Sequence, residues 1–81
     1  MVYKTKGTCS TEIHFDIVDG KITGVSFVNG CNGNLQGISR LVEGMAPEEA
    51  ISRLKGIKCG YKPTSCPDQL AHALEEALAN A

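Results

Sequence analysis

The sequence predicts an α+β two-layer domain: a small antiparallel sheet of about three strands, covered on one face by about three helices. Three observations carry that prediction. Residues 11 to 18 alternate, with Ile13, Phe15 and Ile17 facing one way and Glu12, His14 and Asp16 the other; this is the period of a half-buried strand. Asp19-Gly20 is a turn signal that leads into a return strand from Lys21 to Asn29. From Leu35 onward the apolar residues recur at helical spacing instead. Strands first and helices after them indicate segregated layers rather than alternating βα units.

The elements follow in order. Val2 to Thr8 reads as a first edge strand that ends at Gly7, its lysines guarding the edge against pairing with other chains. Cys9 stands at the entry to the hairpin. A three-residue loop, with Gly20 left-handed after a type I turn, would pair Ile17 with Lys21 and Ile13 with Val25. That register puts Ile13, Phe15, Ile17, Val25 and Phe27 on one face, whereas a two-residue loop would set Val25 and Phe27 opposite His14 and Glu12. Asn29-Gly30-Cys31-Asn32-Gly33-Asn34 reads as the next loop, where Gly30 and Gly33 permit conformations that other residues avoid. Leu35, Ile38, Leu41 and Val42 make the inner face of a helix ended by Gly44. A second helix starts near Pro47, with Ala50, Ile51 and Leu54 inward and Gly56 at its end. The last helix begins in Thr64-Ser65-Cys66-Pro67-Asp68 and carries Leu70, Ala73, Leu74, Ala77 and Leu78 as its apolar stripe.

An 81-residue chain is one domain with a thin core. Domains of this size often add a staple, whether disulfides, a metal or a second subunit, so a homodimer is among the expectations. The net charge is −1 and the basic residues are scattered. That pattern speaks against nucleic acid and against a polybasic membrane anchor. No apolar run is long enough to span a bilayer, and the first residues lack a signal segment. A cytoplasmic location is therefore expected. In that reducing compartment four cysteines point to a metal or redox site rather than to structural disulfides.

Those cysteines are Cys9, Cys31, Cys59 and Cys66. They form no C-x-x-C knuckle, but each falls at the end of an element. Elements stacked in two layers bring such ends to one rim, where four thiolates would bind zinc or an iron–sulfur cluster. Gly30, Asn32, Gly33 and Ser65 are the candidates to support the sulfurs by hydrogen bonds. Cys66 opens a helix, where the peptide dipoles favour a thiolate. The alternatives are a Cys59/Cys66 pair that exchanges with disulfides, and thiols that simply pack. His14, His72 and the paired glutamates read as solvated side chains. The glycines around Cys31 make neither a phosphate loop nor a dinucleotide fingerprint.

Thr64-Ser65-Cys66-Pro67-Asp68, with three upstream cysteines and the Gly30-Cys31-Asn32-Gly33 loop, resembles the signature of the TSCPD domain over essentially the whole chain. A related domain lies at the C-terminus of adenosylcobalamin-dependent class II ribonucleoside-diphosphate reductases. The resemblance implies an accessory or detached module of ribonucleotide reduction, partnered by a reductase or another radical enzyme and not a complete enzyme alone. No nucleotide or cobalamin site is evident in this sequence. A more distant resemblance is to U-type iron–sulfur scaffold proteins, whose three cysteine positions match Cys9, Cys31 and Cys66 in order. It implies a similar fold and, as an alternative function, cluster assembly or carriage. The scaffold's Asp after the first cysteine is Thr11 here, its His before the last is Ser65, and Cys59 is an additional thiol.

Overall fold

The computed structural model describes residues 1–8, 10–30 and 32–80. Within them a three-stranded antiparallel sheet, β1 (Val2–Lys4), β2 (Glu12–Val18) and β3 (Lys21–Val28), has the order β1-β2-β3. Three helices follow: α1 (Asn32–Val42), α2 (Pro47–Leu54) and α3 (Cys66–Ala79). The predicted α+β class and element order hold.

The hairpin register differs from the expectation. Val18 pairs with Lys21 and Ile17 with Ile22, so the loop has two residues, Asp19 and Gly20. Both have positive φ, 53° and 75°, the backbone of a type I′ turn, whose twist matches that of the flanking strands. The facing problem is solved further along. The register shifts between His14 and Asp16, where Phe15 lies opposite an extra residue of β3. Gly24 there has φ 64°, and its N–H is taken by Glu43 Oε1 at 3.0 Å. This is a bulge with glycine in the left-handed position. It moves the rest of β3 by one residue, so His14 pairs with Ser26 and Ile13 with Phe27. Ile22, Val25 and Phe27 therefore share one face with Ile13 and Phe15, and Ile22 is fully buried. Strict alternation in β3 could not reveal this, because the phase changes inside the strand.

β1 is shorter than the predicted Val2–Thr8. Beyond it the chain turns inward: the Thr5 and Thr8 hydroxyls both donate to the Ser10 carbonyl, and the Lys6 N–H donates to Gln69 Oε1 at 3.1 Å. On the other side of the sheet, Ile22 and the segment between α1 and α2 exchange two bonds, Ile22 N–H to the Met45 carbonyl and Gly44 N–H to the Ile22 carbonyl. These occupy part of an otherwise open edge.

The core joins Ile13, Phe15, Ile22 and Val25 of the sheet to Val42, Ala50, Leu70, Ala73 and Leu74 of the helices. α1 packs on β3, and α2 on α3. Leu35, Ile38 and Val42 form the inner stripe of α1, but Leu41 is 76% exposed and does not belong to it. Successive positions advance about 100° around a helix, so Leu41 is turned well away from its neighbour Val42. Gly33 also departs from the expectation. It lies inside α1 without a positive φ, and a β-carbon there would meet open space.

Candidate functional site

The start of α3 is built by the five residues Thr64 to Asp68. Ser65 is the N-cap, in extended conformation, and its hydroxyl accepts from the Asp68 N–H at 3.2 Å. The same hydroxyl donates to the Ile57 carbonyl at 2.6 Å. Pro67 occupies the first turn, where its missing N–H costs nothing. Asp68 is 5% exposed. Its carboxylate accepts from the Gly56 N–H at 2.7 Å and from the Thr64 hydroxyl at 2.5 Å, with His72 Nε2 at 3.3 Å. The Thr64 hydroxyl accepts in turn from Gln69 Nε2 at 3.0 Å. The segment from Gly56 to Thr64 is thereby tied to the first turn of α3 at both ends. Burial alone would push the Asp68 carboxyl up. The hydrogen bonds from Thr64 and Gly56, together with His72, outweigh it and hold the group below its ordinary value.

That segment carries Cys59. Its N–H donates to the Thr64 carbonyl, and its carbonyl accepts from the Lys62 N–H at 3.0 Å, closing a turn through Gly60. Cys59 is exposed and Cys66 half-buried, both as free thiols. The two line one cleft of about 400 Å³, walled by Thr8, Asn34, Leu35, Ile38 and Pro67. Among the described residues no carboxylate and no imidazole lines it. The Cys66 sulfur lies 3.1 Å from the hydroxyl of Ser10, a residue only 2% exposed.

The family model of the TSCPD domain matches residues 1–78. The chain belongs to the TSCPD domain family. No curated protein matches it, and no solved structure does.

The structure gives the TSCPD pentapeptide a physical meaning: hydroxyl clamp, N-cap, thiol, first-turn proline and buried carboxylate, in that order. Of the four candidate ligands it brings Cys59 and Cys66 to one cleft. Cys9 and Cys31 lie outside the described residues, as does the Asn32 side chain. Thr8 and Asn34 line the cleft, and Ser10 touches the Cys66 sulfur. Gly30, at φ 97°, lies so close to Ser10 that a β-carbon on it would come within 3.2 Å of the Ser10 nitrogen and 2.8 Å of Leu35 Cδ1. Among the described residues, no group of three or more His, Cys, Asp or Glu is placed to hold a metal ion.

Of the residues expected to support the sulfurs, Ser65 has its hydroxyl engaged in capping α3. The hydrogen-bond partner of the Cys66 sulfur is instead Ser10, which sequence reasoning missed. Ser10 sits in a polar run, Thr8-Cys9-Ser10-Thr11, with no periodicity to mark it as buried. Gln69 was equally hidden, as an ordinary polar helix residue. His72 lies between Asp68 and Glu75 on the surface of α3, and His14 pairs with Glu12. No described helix is long and apolar enough to cross a membrane.

Proposed function

We propose that this TSCPD domain is a four-cysteine metal-binding module, taking zinc or an iron–sulfur cluster through Cys9, Cys31, Cys59 and Cys66. One observation carries the reading: Cys59 and Cys66 open on one cleft, which Thr8, next to Cys9 in the chain, and Asn34, three residues after Cys31, also line. The donor set suits it. Thiols with no carboxylate or imidazole beside them select soft or borderline metals over calcium and magnesium, which need oxygen ligands. A bound metal would tie the Gly56–Thr64 segment, the start of α3 and the two strand ends into one unit. By family association the module serves ribonucleotide reduction through a protein partner.

A second reading is favoured by the two free thiols on one cleft: Cys59 and Cys66 as a thiol–disulfide relay. Elemental analysis of anaerobically purified protein, with thiols counted before and after denaturation, separates the two. The metal reading expects about one zinc or a few irons per chain, thiols shielded until denaturation, and loss of metal in Cys66→Ser. Metal-free protein with freely reactive thiols, and a Cys66→Ser variant of unchanged stability, would overturn it. A reversible Cys59–Cys66 disulfide would then establish the relay.

A further inference from the structure

The hydroxyl of Ser10 has almost no access to water, so its one proton must go to a protein atom. Among the described residues two acceptors are in reach, Thr8 Oγ1 at 3.3 Å and Cys66 Sγ at 3.1 Å. Thr8 has its own acceptor, the Ser10 carbonyl at 3.1 Å. Its proton is therefore engaged there, and its oxygen is free to accept from Ser10. With Cys66 as a thiol, S–H can donate to Ser10 while Ser10 donates to Thr8, or Ser10 can donate to the sulfur. With Cys66 as a metal-bound thiolate, no proton remains on sulfur, and the 3.1 Å contact is bonding only when Ser10 donates to it.

We propose that Ser10 is the positioning residue of the Cys66 sulfur: its hydroxyl, able both to accept and to donate, keeps the buried group hydrogen-bonded in both the thiol and the metal-bound state. This rests on the metal-binding reading. In the loaded state the bond would draw electron density from sulfur and lower its reactivity toward electrophiles. A hydroxyl supports both states.

The test uses Co²⁺ as spectroscopic probe and iodoacetamide as electrophile, on wild type, Ser10→Ala and Ser10→Thr. Ser10→Ala is expected to move the sulfur-to-cobalt charge-transfer bands to longer wavelength. It should also raise the alkylation rate of Cys66 in the zinc-loaded protein about tenfold, the equivalent of one hydrogen bond to a charged group. Ser10→Thr, which keeps the hydroxyl, should restore both. Ser10→Gly deletes the same hydroxyl and is read in the same way where Ser10→Ala does not fold. Cobalt-loaded variants with unshifted bands and unchanged alkylation would overturn the role of Ser10 alone. A wild type that takes up neither cobalt nor zinc would overturn the metal site and this proposal with it.

Discussion

Asp68 shows at the scale of one residue why the signature ends as it does. A carboxylate at this position of a first turn is ordinarily half of a reciprocal cap. Here it reaches away from the N-cap, to the Gly56 N–H and the Thr64 hydroxyl. Because it is buried, removing it leaves those donors without partners. Asp68→Ala should cost about 3 kcal/mol in urea denaturation. The charge also sets a pH dependence. The folded-state pKa lies below the ordinary value of 3.8, so the unfolded chain binds the proton more readily. The contribution is complete at neutral pH and is lost as pH falls through 3.8 and below. Asp68→Asn should flatten that acid limb of the stability profile. An unchanged limb would assign acid sensitivity to other carboxylates.

At the scale of elements, three glycines have different jobs. Gly24 holds the bulge at φ 64° in open space. Gly24→Ala should destabilise by about 1–2 kcal/mol through left-handed strain alone. Gly30 combines positive φ with a close approach to Ser10, so Gly30→Ala should cost more and disturb the cleft. Gly33 sits inside α1 with neither constraint. Gly33→Ala should therefore stabilise by about 0.5–1 kcal/mol. Thermal melts of the three variants check both sign and order. A destabilising Gly33→Ala would mean that the first turn of α1 needs glycine for a reason other than backbone conformation.

At the scale of the whole molecule, the core is small. Nine buried apolar residues join the sheet to the helices. The segment bearing Cys59 adds little to that core: Ile57 is 43% exposed and Tyr61 fully so. Its attachment rests on the Asp68 and Ser65 hydrogen bonds and, in the proposed reading, on metal. Stripping metal with a chelator should then lower the melting temperature by roughly 10 °C or more, and re-addition of zinc should restore it. Cys66→Ser should melt at the stripped temperature and ignore the chelator. A wild type indifferent to chelator would leave the hydrogen bonds as the sole tie.

The class, the order of elements and the cap of α3 were legible in the sequence, because each depends on local chemistry. Alternation marks a strand, Asp-Gly marks a turn, and Ser-x-Pro-Asp before an apolar run marks a helix start. The gathering of cysteines at element ends was legible as a hypothesis, and the structure brings two of them to one cleft. Tertiary structure alone decided the hairpin register, because a bulge at Gly24 resets the phase that alternation assumes. It also decided that Leu41 faces outward and that Ser10, 56 residues before Cys66 in the chain, is the neighbour of its sulfur. Sequence patterns report the period of a segment. Contacts between distant segments follow from how the layers stack, and no local pattern encodes them.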